Sequence, residues 1–184
     1  MLEGGTQILQ FRHKTFWSQE IVDLAGETAE LCRQSGATFV INDRADYAAL
    51  LGAGLHVGQD DLPPASARKL IGTAPLGFST HNPKQFAAAL AEPADYLAFG
   101  PVFPTRSKEN PDPVTGIEIV RQLRRMTEKP LVAIGGITLE RAPEVWQAGA
   151  DAVAVISDLL GEPCSPASIE ARTKSWIAAA RNRA

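Results

Sequence analysis

Short apolar runs rich in β-branched and aromatic residues alternate along the chain with longer stretches whose apolar positions recur at helical spacing. The runs predict strands at 6–11, 38–41, 55–57, 76–79, 96–100, 131–134 and 152–155. Between them the spacing predicts helices at 18–34, 44–51, 65–71, 83–91, 116–126 and 140–147, and a last helix at 167–182. Repeated βα units with few residues between elements mean a parallel sheet covered by helices. Helix starts carry their usual marks: Ser18 is placed to cap one, and Asn82-Pro83 supplies a cap followed by Pro at the first helical position. Ile169, Trp176 and Ile177 share one face of the last helix, as a docking face requires.

Such a sheet is either open and doubly wound or closed as a (β/α)8 barrel. The polar groups help to decide, because nearly every predicted strand ends in them: Gln10 and Arg12, Asn42 and Asp43, Gln59, Ser79, Gly100-Pro101, Gly135-Gly136 and Ser157. A doubly wound sheet concentrates its site at one switch point, whereas a barrel gathers all its strand ends on one face. The expectation is therefore an α/β chain of TIM (β/α)8 barrel type, folded as one domain over 1–184. Only seven strands are recognisable, and residues 1–5 read as a helix end and its turn, so the first βα unit is expected to be missing.

Composition narrows the function classes. A net charge of −3 gives no basic field for nucleic acid. Cys32 and Cys164 have neither metal nor disulfide-framework spacing. No apolar run approaches the ~20 residues that span a bilayer, and the N-terminus lacks the pattern of a secretory signal. A cytoplasmic enzyme acting on small molecules, without a nucleic-acid or membrane partner, is the expectation.

Two acidic clusters each close a short apolar run: Asn42-Asp43 and Gly58-Gln59-Asp60-Asp61. Paired carboxylates at neighbouring strand ends suit a divalent cation held against a pyrophosphate; taken singly, each is equally a turn or cap aspartate. Gln10, Arg12 and Lys14 alternate and so share a face. Cations on an interior face need an anion at the barrel mouth. On an edge strand the same alternation would merely be solvated. Lone Asn42 and Ser79 at strand ends also occur as caps. Lys108 lies in a Pro-, Asn- and Asp-rich loop running to Gly116, long enough to close over phosphates. Gly135-Gly136 and Ile156-Ser157 end the last two strands, where barrels commonly bind phosphate through backbone N–H groups.

Taken in order, the strand-end segments resemble the thiamine phosphate synthase family over almost the whole chain. The resemblance is carried by Gln10-Phe11-Arg12-His13-Lys14, Ile41-Asn42-Asp43-Arg44, residues 56–61 (HVGQDD), residues 77–81 (GFSTH), residues 99–108 (FGPVFPTRSK), residues 133–137 (AIGGI) and residues 154–157 (AVIS). Any one piece is common; seven in the right order are specific.

The resemblance implies a transferase that joins an aminopyrimidine bearing a methyl pyrophosphate to a thiazole phosphate and releases pyrophosphate. It implies that Asp43 and Asp61 hold Mg2+ and face Arg12 and Lys14 across a cavity. Arg12, Lys14 and Lys108 then act on the leaving pyrophosphate, Ser79 contacts the reacting groups as a further catalytic residue, and Gln10 and Asn42 orient the pyrimidine. Phe11 and His13 enter the substrate segment with their neighbours, although His13 lies on the opposite face of the strand. Thr105 and Ser107 contact the thiazole, and Arg106 binds substrate beside Lys108 in the same loop; Ser107 stands where family members usually have threonine and keeps the hydroxyl. Gly136, Ile156 and Ser157 receive the thiazole phosphate. His56 and His81 flank this pocket in minor roles. The implied mechanism is dissociative: the pyrimidine-methyl to oxygen bond breaks first and the thiazole nitrogen captures the cation. Two other readings stay open. A sister barrel, the thiazole tautomerase, would share the Gly-Gly phosphate site, with His81 as the proton-transfer residue. A non-catalytic relic that binds a phosphate ligand would leave two unpaired strand edges, which a second copy in a homo-oligomer could cover.

Overall fold

A strand buried on both faces needs cover on both, and four of the strands here are buried at all or all but one of their positions. The computed structural model describes residues 1–105 and 112–183. Strands β1 (Ile8–Phe11), β2 (Thr38–Asn42), β3 (Gly54–Val57), β4 (Leu76–Thr80), β5 (Tyr96–Phe99), β6 (Leu131–Ile134) and β7 (Ala152–Ala154) alternate with helices. These are α1 (Gln19–Ser35), α2 (Ala45–Leu51), α3 (Pro64–Ile71), α4 (Pro83–Ala89), α5 (Ile117–Arg124), α6 (Ala142–Gln147) and α7 (Pro166–Arg181). All seven strands are parallel and lie side by side in chain order. A doubly wound sheet would reverse its order at a switch point, and this one does not.

The sheet curls but is not closed: among the described residues β1 pairs with β2, and β7 with β6, but β1 and β7 do not pair with each other. The closed barrel expected from the sequence is thus corrected to an open curl of seven strands. The edges show it in their burial. β3 is buried at every position, whereas Ile8 and Gln10 of β1 are exposed. Helices cover the outer face, where Leu55, Leu76, Leu97 and Leu131 are wholly buried. In pairs they stand opposite one another across neighbouring strands. Each such leucine contributes about 1.5–3 kcal/mol of burial.

Capping follows the sequence. The Ser18 side chain accepts from the N–H of Ile21, and Asn82 from that of Gln85. Ser165 and Ser168 form a reciprocal box at the start of α7. Trp176 of α7 is buried edge-on to Trp146 of α6, and its indole N–H donates to Asp158. The same helix packs on the opening 3-10 turn (Leu2–Gly4), where a Cβ on Gly4 would lie 2.5 Å from Thr173 Cβ. The strand expected from Thr6 begins at Ile8, because Gly5, at φ 93°, is still closing that turn.

Candidate active site

The loops after β1, β2 and β3 bring three charged side chains together. β2 ends at Asn42, and Asp43 follows in the left-handed region at φ 66°. Asp43 is the only non-glycine described residue with positive φ, and such backbone strain concentrates at functional sites. Its N–H donates to the His56 carbonyl at 2.8 Å, which ties the turn to β3. The Lys14 ammonium donates to the Asp43 carboxylate. Asp61 lies within hydrogen-bonding reach of that carboxylate, and its own Oδ2 accepts from the Gly58 N–H at 2.7 Å. Burial pushes the Asp43 carboxyl above its usual range; Lys14 opposes this and Asp61 adds to it. The two carboxylates that the family resemblance pairs, Asp43 and Asp61, interact at the strand ends. Lys14 does not stand across a cavity from them but closes directly on Asp43, compensating a carboxylate that burial makes costly.

Beside this pair, Asn42 is 7% exposed, and its Nδ2 has no hydrogen-bond partner among the described residues. An orphaned buried donor costs about 1–3 kcal/mol, so its persistence at a strand end points to a ligand acceptor. Gln10 and Arg12 are exposed along the β1 edge, and no described carboxylate pairs with Arg12. Phe11 turns the other way, against Trp17 and Phe39 in the outer layer. His13 is held within its own loop by the Phe16 carbonyl at 3.2 Å and Thr15 Oγ1 at 2.9 Å.

A second cluster lies across β3, β4 and β5. His56 is buried; its Nδ1 is 2.9 Å from Tyr96 Oη and its Nε2 2.7 Å from Ser79 Oγ. Burial holds the imidazole down at about 4. Gln59 donates to the Ser79 carbonyl at 2.6 Å. Sequence reasoning gave His56 a minor role and missed Tyr96. Their link runs between strands, and only the alignment of three strands reveals it. His81 is tied elsewhere, its Nδ1 2.8 Å from the Gly100 carbonyl oxygen.

At the β5 to β7 ends the two loops are stitched by backbone. The N–H groups of Val102 and Phe103 donate to the carbonyls of Ile134 and Gly135 at 2.9 and 3.0 Å. Gly136 has φ 63°, and a Cβ there would meet the Pro104 carbonyl oxygen at 2.3 Å. The Gly-Gly pair is therefore required by packing. Ile156 and Ser157 are exposed just beyond β7, and Thr105 is partly buried. Arg106, Ser107 and Lys108 lie outside the described residues. The surface hollow between α6 and α7, lined by Pro143, Trp146 and Arg183, has no comparable convergence of polar groups.

A parallel α/β sheet with paired carboxylates, neighbouring cations and unmet polar groups at the carboxyl ends of its strands defines a protein built to handle a charged small molecule. A family model described as thiamine monophosphate synthase matches residues 1–159. A thiamine-phosphate synthase of Koribacter versatilis is 49% identical over 170 residues, covering 91% of this chain and 80% of that protein. One from Geobacillus kaustophilus is 41% identical over 187 residues, covering 99% and 84%. Among solved structures, a thiamine phosphate pyrophosphorylase from Pyrococcus furiosus superposes with TM-score 0.88 at 31% identity, over 99% of this chain and 86% of that one. The chain belongs to the thiamine-phosphate synthase family.

Proposed function

We propose that this chain condenses 4-amino-2-methyl-5-(diphosphooxymethyl)pyrimidine with a thiazole phosphate, giving thiamine phosphate and pyrophosphate. The observation that carries the reading to particular residues is the Lys14, Asp43 and Asp61 cluster beside the unpartnered Nδ2 of Asn42. In this reading the seven strands are the greater part of a (β/α)8 barrel, and the substrates enter at the carboxyl ends of the strands.

Asp43 and Asp61 fit a hard cation: they are two adjacent carboxylates, one of them burdened by burial and by its neighbour's charge. No described group of three or more His, Cys, Asp or Glu is arranged as a self-sufficient metal cage. That matches Mg2+, which keeps waters and takes phosphate oxygens from its substrate. Bound there, Mg2+ supplies charge neutralisation for the leaving pyrophosphate.

The chain's own residues do the rest. Arg12, Lys14 and Lys108 hold the pyrophosphate, and Arg106 takes part in substrate binding. Asn42 Nδ2 and Gln10 orient the pyrimidine ring. Ser79 stands beside the reacting methyl group. Thr105, Ser107, Gly136, Ile156 and Ser157 seat the thiazole phosphate, and Phe11 and His13 shape the strand exit. As the pyrimidine-methyl to oxygen bond breaks, negative charge grows on the pyrophosphate and positive charge on the pyrimidine. The thiazole nitrogen, held in line, then forms the new carbon–nitrogen bond. Positioning and charge stabilisation suffice, and no enzyme nucleophile is needed. The relatives named above are synthases, which favours this reading over the tautomerase alternative.

The test is incubation with both phosphorylated heterocycles, with and without Mg2+, following pyrophosphate. Metal-dependent release matched by thiamine phosphate supports the reading. Isomerisation of the thiazole alone, or no reaction, overturns it.

A further inference from the structure

His56, Gly77 and Tyr96 stand in register on three adjacent strands: His56 opposite Gly77, and Gly77 opposite Tyr96. Residues opposed across a parallel sheet present their side chains to one face. The middle position has no side chain, and the outer two close over it. A Cβ on Gly77 would lie 2.1 Å from Tyr96 Cζ and 2.4 Å from His56 Nδ1. The glycine is what allows the phenol to cross β4 and reach the imidazole. Beyond the imidazole, on the far side from the phenol, is Ser79 Oγ at 2.7 Å.

Counting protons fixes the direction of this chain of hydrogen bonds. With burial holding its value down at about 4, the imidazole carries one N–H near neutral pH. Burial raises the Tyr96 phenol above its ordinary range, so it keeps its proton and must donate it. Its hydrogen-bond partner among the described residues is His56. If Nδ1 bore the imidazole proton, it would donate to the phenol oxygen and Ser79 would donate to Nε2, leaving the phenol hydrogen with no acceptor among the described residues. With the proton on Nε2, Tyr96 donates to Nδ1 and Nε2–H donates to Ser79 Oγ. Every group in the row is then satisfied, and the Ser79 hydrogen is directed away from the histidine. The Ser79 backbone is fixed as well, its carbonyl accepting from Gln59.

We propose that Tyr96 and His56 are positioning residues that lock Ser79 as a hydrogen-bond donor, so that its hydroxyl hydrogen serves an oxygen of the pyrophosphate-bearing substrate. The inference rests on the function proposed above and adds to it a direction for the Ser79 bond and two residues behind it. Neither Tyr96 nor His56 touches substrate; both act through the serine.

A double-mutant cycle tests it. Tyr96→Phe keeps the ring over Gly77 and removes only the hydroxyl. It should lower kcat about tenfold, the scale of one misdirected hydrogen bond, while the thiazole phosphate KM stays within about twofold. In a Ser79→Ala background the same change should have no further effect, because the group it acts through is gone. His56→Gln, whose amide can still donate to Ser79, should retain more activity than His56→Ala. Additive losses in the cycle, or equal losses for the two histidine variants, would overturn the proposal. Nitrogen-15 spectra of the histidines in the intact protein give a readout without turnover: an Nε2–H tautomer for His56 supports the relay, and an Nδ1–H tautomer sinks it. If the parent protein makes no product from the two substrates, the functional reading fails, and the tautomer alone decides the relay.

Discussion

The ends of β1 to β3 and the ends of β5 to β7 both matched motifs of the family, yet they are built on opposite principles. On the first side the side chains are left in local discomfort: Asp43 in left-handed backbone, its carboxyl pushed up by burial and by Asp61, and Asn42 with a buried, unpartnered Nδ2. On the second side the described backbone groups of the two loops are paired with each other. The loop after β5 is hydrogen-bonded to the loop after β6, and Gly135 and Gly136 have the positive φ and the missing Cβ that this closeness requires. Polar groups that folding leaves unsatisfied indicate a ligand, whereas a glycine turn fully explained by packing is silent about one.

The sharpest way to break that contrast is to remove the acidic pair. Replacing both Asp43 and Asp61 with Ala should cut turnover by about a thousandfold or more, with the fold retained, since several kcal/mol of charge stabilisation are lost. Pyrophosphate release measured beside a urea midpoint separates the two effects. An unchanged product yield would remove the metal assignment and the contrast with it.

The next effect belongs to His56. Its folded value is about 4 against 6.5 for the free group. Between those values the unfolded chain binds a proton that the folded chain does not, so stability falls as pH drops from about 6.5 to about 4 and levels off below. The loss is on the order of 3 kcal/mol. His56→Gln should flatten the urea midpoint across that window; a slope equal to the parent's would show that the imidazole is not held neutral.

These two sides were not equally legible in the sequence. The strand-helix alternation and the Ser18 and Asn82 caps follow from spacing and turn chemistry, which are local; the pairing of Asp43 with Asp61 came only with the family resemblance. The extent of sheet closure is not local: the sequence left Gln10 between an interior barrel face and a solvated edge, and only the edge position of β1 exposes it. Tyr96 was missed for a related reason. It is an ordinary aromatic at the start of an apolar run until the register places it opposite Gly77 and within reach of His56. Phe11 sits in the substrate motif, yet alternation along β1 sends its ring to Trp17.

On the second side the expected effect is on folding. Gly136→Ala places a Cβ 2.3 Å from the Pro104 carbonyl oxygen at φ 63°. It should cost roughly 2 kcal/mol of stability, the scale of backbone strain plus a forced shift of the loop. A urea midpoint within about 0.3 kcal/mol of the parent's, the usual scatter of surface changes, would mean that the loop yields freely and that packing does not explain the glycine.

Asn42 gives the smallest change in stability and the cleanest opposition to Gly136. Asn42→Leu keeps the volume while deleting the unpartnered buried donor, so the ligand-free protein should hold its stability or gain about 1 kcal/mol. Binding of the pyrimidine pyrophosphate, followed by calorimetry, should weaken at least about tenfold, because the ring loses the donor that Nδ2 reserves for it. One substitution would then stabilise the fold and damage the site, while Gly136→Ala destabilises the fold first. A destabilised Asn42→Leu protein that still binds the pyrimidine normally would place the unmet donor in the service of the fold, and the distinction between the two sides would collapse.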